Sequence, residues 1–209
     1  MADSTTRVEA FSDGVFAIAI TLLILEIRVP VGEAAHGASL AANLVQLWPS
    51  YLAFLLSFLV ILISWVNHHE LMRLVRVVDY QFLFANGFLL LTITFIPFPT
   101  AVLAEHLAGE EAKTSAAFYC GTYFVASIAW GLLLLSIKRR GRLRHGADAA
   151  IVRRISRAYA TAPLIYGFAT VVALYNVVVG LAINLSLWIL WVLLCYRSSR
   201  PEEPDEHAA

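Results

Sequence analysis

The sequence predicts an all-α integral membrane protein with six transmembrane helices. Three observations predict it. The 209 residues are 60% hydrophobic, with a mean hydropathy of +0.74, whereas soluble domains are about 45–50% apolar. Charged residues are excluded from five long stretches, Gly14–Leu25, Ala34–His69, Tyr80–Ala104, Thr114–Ile137 and Ala158–Tyr196. The formal net charge is zero, yet Lys and Arg collect on alternate connections.

The first span, about 8–28, is apolar enough to enter a membrane but unsuited to lipid on all sides. Only twelve uncharged residues separate Asp13 from Glu26. They cover roughly 18 Å against a hydrocarbon core of about 30 Å. Charged groups drawn to such depths normally face protein or water, so this helix lines something or is wrapped by other helices. A signal-peptide reading fails, because Asp3, Arg7, Glu9 and Asp13 sum to −2 where a positive leader is required. Val29–Asn43 reads as a short external loop, with Pro30 and Gly32 ending the first helix. The second span, about 46–67, is bracketed by Trp48 and Trp65, which suit the membrane interfaces. The third, about 80–103, meets Pro97-Phe98-Pro99-Thr100, which should break or kink it near its outer end. The fourth covers about 115–137. The last stretch has 39 residues, enough for two helices of roughly 28 Å each. Gly180 and Asn184 offer the turn between spans of about 159–178 and 182–197. Together these form one channel-sized membrane domain over 1–197. The acidic tail 198–209 is expected to be disordered and cytoplasmic.

Six spans put both termini on one side. That side then holds 13 of the 15 basic residues, with only Arg28 and Lys113 opposite. The termini are therefore cytoplasmic by the positive-inside rule. The segment Lys138–Arg157 is the most basic part of the chain. It reads as a topology signal with affinity for anionic lipid, and not as a nucleic-acid site. Cys120 and Cys195 both fall in spans and read as small apolar fillers without a disulfide framework.

On a helical wheel of the first span, Ile18, Leu22 and Leu25 follow i, i+4, i+7. Thr21, Gly14 and Phe11 fall in the same arc, while Ser12 and Asp13 point elsewhere. This division suggests one face along a pathway and another held by polar contacts. Blander readings stand beside it. The Thr21 hydroxyl can bond back to the Ala17 carbonyl, and Ser12 or Asp13 can cap a helix starting near Gly14. Asp13 needs a partner if it leaves water. Arg7 is out of register for an i, i+4 pair, and would have to reach it across a bend or from a neighbouring subunit. Breaking a deeply buried pair would cost about 3–5 kcal/mol. His68-His69-Glu70 is a poor metal site, because adjacent helical histidines diverge by about 100°. Phosphate loops, catalytic triads and paired carboxylates within one span are not visible, so no enzyme and no cofactor are expected. Glu26 lies near the outer mouth, where it either concentrates cations or solvates a helix end.

The pattern Arg7-x-x-x-Phe11-Ser12-Asp13, opening the first of six spans and continuing through GVFAIAITLLILEI, resembles the signature of the transmembrane protein 175 family of potassium channels. Trp65 and His68-His69 at the end of the second span support the likeness, as do Asn86 and the Pro97–Thr100 run. A single six-span unit is similar to the bacterial form. The resemblance implies a homotetramer in the inner (plasma) membrane, with four first helices lining a central pore. It places the hydrophobic constriction on Ile18, with Leu22 and Leu25 above it, and the selectivity layer on Thr21. It assigns Arg7, Phe11, Ser12, Asp13, Trp65 and His68 or His69 to a network anchoring the first helix. No bound metal is implied; potassium is the permeant ion. A ring of isoleucines would gate by dewetting, and threonine hydroxyls would replace part of an ion's hydration shell. A TVGYG-like carbonyl filter is absent from the sequence, so a modest preference over sodium is expected. The alternatives are a proton-coupled secondary transporter, for which Pro163 and Gly167 could interrupt the fifth helix, and a non-transporting membrane scaffold.

Overall fold

The computed structural model describes residues 2–28, 39–139, 143 and 149–198. Among them the chain is almost wholly helical: α1 (Ala2–Leu22), α2 (Leu40–Gln46), α3 (Trp48–Met72), α4 (Tyr80–Phe95), α5 (Pro97–His106), α6 (Ala112–Lys138), α7 (Ala149–Ala173) and α8 (Val177–Ser198). Four segments are long and apolar enough to cross a membrane: Thr5–Glu26, Trp48–Met72, Tyr80–His106 and Ala112–Lys138. The protein is a multi-pass membrane protein. Of the two remaining expected spans, α7 carries Arg153, Arg154 and Arg157 near its start, and α8 offers a shorter apolar stretch, Val177–Leu193.

α6 is the central helix, packed against α4, α5, α7 and α8. Small residues on it, Ala116, Ala117, Ala126 and Ala129, are buried and let neighbours approach closely. α1 lies at the periphery against α3 and α4. Its most apolar window is 22% buried, against 61% for α6.

Several boundaries depart from the expectation. α1 starts at Ala2 and runs without interruption through Ser12 and Asp13, so neither residue caps a helix beginning at Gly14. It tightens into a 3₁₀ turn over Leu23–Glu26 and ends before Arg28. The short helix α2, capped by Ser39 Oγ accepting from the Ala42 N–H, occupies part of the expected outer loop; residues 29–38 of that loop lie outside the described residues. The third span breaks at Ile96, where Pro97 and Pro99 cannot donate to the ladder. It then resumes as α5 to His106, beyond the expected end. The hairpin of the last two helices turns at Leu174–Asn176, and not at Gly180 or Asn184. Asn176 Oδ1 accepts from the Val179 N–H and caps α8. Gly180 instead serves close packing: a Cβ there would lie 2.6 Å from that of Ala173. Asn184 is buried within α8. α7 runs unbroken through Pro163 and Gly167. The Tyr159 carbonyl, which Pro163 cannot bond, faces Gly131 of α6. Ser198 still belongs to α8, while the remainder of the expected tail and residues 140–142 and 144–148 of the basic connection lie outside the described residues.

Candidate functional site: the two faces of the first helix

The buried stripe of α1 is Ser12, Phe16, Ala19 and Leu23, all 1% exposed or less. The spacing is i, i+4, i+7, i+11, one face of an α-helix. The opposite stripe is bare: Phe11 is 68% exposed, Ile18 59%, Leu22 43% and Leu25 66%, with Gly14 and Thr21 also exposed. A membrane-crossing helix thus presents one continuous apolar face, interrupted by a single hydroxyl, to whatever lies outside this chain. The Thr21 hydroxyl donates to the Ile18 carbonyl at 2.9 Å, and not to that of Ala17. Its oxygen keeps an acceptor site outward.

The buried face is held by a polar network near its lower end. Ser12 Oγ donates to the Val8 carbonyl at 2.8 Å. With that proton used, Ser12 Oγ can only accept, and Asn86 Nδ2 donates to it at 3.0 Å. The other end of the Asn86 amide, Oδ1, stands 2.9 Å from His68 Nε2, so Nε2 carries the proton. Asn86 of α4 therefore ties α1 to α3. His68 is wholly buried between Phe16 and Trp130, with ring centroids at 5.4 and 6.4 Å. A second set of contacts runs along the rim of the α1–α3 pair. Trp65 Nε1–H donates to Asp13 Oδ1 at 2.9 Å, and His69 Nδ1 lies 3.0 Å from Glu9 Oε1. Glu9 and Asp13 are one turn apart on α1; His69 and Trp65 are one turn apart on α3. The two rungs fix the antiparallel register of the helices.

Both histidines thus serve α1, by different routes: His69 directly through Glu9, His68 by packing on Phe16 and through Asn86. Arg7 does not join them. α1 carries no bend that would bring Arg7 to Asp13, and the guanidinium makes no ion pair with a described residue. It borders a groove between α1 and α4, with Phe11, Leu83 and Gly87. Asp13 is only partly buried and its partner is a neutral indole, so the deep-burial cost expected for an Arg7–Asp13 pair does not apply within the chain. Glu9 went unrecognised in the sequence, although its i, i+4 spacing to Asp13 matches that of Trp65 and His69. Asn86 supported the resemblance there, but its bridging role depends on a contact 74 residues away in the chain. Among the described residues no cluster of three or more metal-ligating side chains occurs.

Residues 7–97, which begin at the arginine of this motif, match the family described as "Endosomal/lysosomal potassium channel TMEM175". A protein of Chamaesiphon minutus named as a potassium channel is 43% identical over 190 residues, covering 90% of this chain and 94% of its own. This chain belongs to the TMEM175 family. A crystal structure described as a lysosomal potassium-selective channel TMEM175 homolog, also from Chamaesiphon minutus, superposes with a TM-score of 0.82 at 39% identity, over 95% of this chain and all of that one. A TMEM175 of Gallus gallus, named as an endosomal/lysosomal proton channel, is 52% identical over 75 residues, covering 32% of this chain and 15% of its own. The family is one of ion channels, not of enzymes.

Proposed function

We propose that this TMEM175 chain is one subunit of a potassium-preferring cation channel, conducting passively along the bare face of α1. The observation that carries this reading is the contrast between the two faces of that helix. One face is locked by Ser12, Asp13, Phe16 and their partners on α3 and α4. The other leaves Ile18, Thr21, Leu22 and Leu25 exposed. The potassium-channel names of the relatives support the ion class. Four chains around an axis would turn Ile18 into a hydrophobic constriction and Thr21 into a layer of oxygens. In this reading each subunit crosses the inner membrane six times with cytoplasmic termini. The basic connection 138–157 rests on anionic headgroups. Arg7, which makes no ion pair among the described residues, would act between subunits. The Gallus gallus name favours a second reading, in which protons pass along the same face.

Purified protein in liposomes tests the proposal. Potassium should move down its gradient without a coupled solute, and Thr21→Ala should lower the potassium-to-sodium permeability ratio while current persists. Saturating flux that demands a proton gradient would instead indicate a coupled transporter, and an unchanged ratio would remove Thr21 from the selectivity layer.

A further inference from the structure

Away from α1, the helices α3, α4, α6, α7 and α8 border a cavity rich in aromatic rings, among them Tyr123, Trp130, Tyr166, Trp188 and Trp191, with the polar side chains of Ser64, Asn67 and Ser127 beside them. Among the described residues no Asp, Glu, Lys or Arg lines it. The centre of a water molecule can move over about 40 Å³ within it. A single water-sized sphere fills only about 10–15 Å³, so the cavity has room for a few waters.

The hydrogen-bond directions around this cavity can be deduced, because each hydroxyl has one proton. Thr100 Oγ1 donates to the Ile96 carbonyl at 2.8 Å. Ser57 Oγ, 2.6 Å from Thr100 Oγ1, must therefore donate to it. Tyr119, 3.1 Å from Ser57, must donate in turn to Ser57. Tyr123 then donates to Tyr119 at 3.1 Å. The chain closes with an unfilled acceptor on Tyr123 Oη, at the cavity wall. Ser127 Oγ donates to the Phe124 carbonyl and is likewise left as an acceptor. On the opposite wall, Trp191 Nε1–H donates to Tyr166 Oη at 3.2 Å, which leaves the Tyr166 proton to be placed. Trp188 is 2% exposed, and among the described residues its indole N–H makes no hydrogen bond of good geometry. Leaving such a donor bare in an interior is unfavourable.

The cavity thus meets the donors Trp188 Nε1–H and Tyr166 O–H and the acceptors Tyr123 Oη and Ser127 Oγ, beside the polar side chains of Ser64, Asn67 and Tyr159. We infer that this is a binding site for a small cluster of water molecules, which accepts from Trp188 and Tyr166 and donates to Tyr123 and Ser127. The cluster joins α6 to α7 and α8 and completes the hydroxyl chain that starts at Thr100 on α5. The inference stands apart from the conduction path along α1.

Crystallography of the full-length protein tests it, at a resolution that shows ordered water, in matched potassium and thallium salts. The expected result is density within hydrogen-bond distance of Trp188 Nε1 and Tyr123 Oη, with no anomalous thallium signal. In Trp188→Phe the peak beside residue 188 should be lost. A thallium peak in the cavity, or a wild-type map in which Trp188 Nε1 bonds a protein group and no solvent is present, would overturn it. Should Trp188→Phe fail to fold, the two wild-type maps decide the matter alone.

Discussion

Ser12 is the residue on which the anchoring of α1 turns. It sits wholly buried in mid-helix, where its proton goes to the Val8 carbonyl and its lone pair accepts from Asn86. Ser12→Ala leaves the Asn86 amide donor buried without a partner, at a cost of about 1–3 kcal/mol. Thermal unfolding in detergent should report that loss; an unchanged midpoint would mean that another group accepts from Asn86. The sequence marked Ser12 as polar and inward but left two explanations open, a helix cap or a network. Local pattern cannot separate them. A cap and a back-bonded mid-helix serine have the same neighbours in the chain, and only the contact with Asn86 on α4 distinguishes them. The same limit hid the Glu9–His69 contact, which depends on the register of α1 against α3. Trp65, read from the residues as an interfacial aromatic and from the resemblance as part of the anchoring network, uses its indole N–H on Asp13.

At the scale of the element, glycine positions separate packing from pathway. Gly180 of α8 lies against the α7 backbone, with Ala173 Cα 2.7 Å from where a Cβ would stand. Gly180→Ala must push the α7–α8 hairpin apart, costing about 1–3 kcal/mol as overpacking does. Gly14 of α1 has nothing within 4 Å. Gly14→Ala should raise thermal stability by up to about 1 kcal/mol through helix propensity. Melting curves of the two variants should move in opposite directions; parallel destabilisation would contradict the packing described. Helices were the most legible part of the sequence, since long uncharged stretches have few other structures open to them in lipid. Their junctions were less so. Gly180 looked like a turn residue because glycine serves both turns and close contacts. The turn itself fell to Asn176, whose side chain caps α8. Pro163 looked like a break, yet α7 passes through it, since one proline in a membrane helix is tolerated where the surrounding structure accommodates it.

For the whole molecule, the uneven burial of α1 and α6 is the organising fact. In the proposed channel, the face of α1 left bare after the other is fixed by polar bonds is the one that meets neighbouring copies. Four copies around an axis would give a particle about four times the 23.1 kDa chain mass, and native mass measured in detergent should return that multiple. A monomer would contradict the assembly. The family and the ion class were legible in the sequence through one short motif, Arg7-x-x-x-Phe11-Ser12-Asp13, of which Ser12 and Asp13 hold α1 to its neighbours. Assembly was not, since composition records that a helix is apolar and says nothing of what it faces.

Thiol accessibility along α1 is the most direct test. With Cys120 and Cys195 replaced by alanine, single cysteines at positions 21 and 25 are compared with one at position 19 on the buried stripe, during potassium flux. A cationic thiol reagent should reduce flux at 21 and 25 and leave position 19 unaffected. Flux that is indifferent to modification at 21 and 25, or that falls equally at 19, would place the potassium path somewhere other than the exposed face of the first helix.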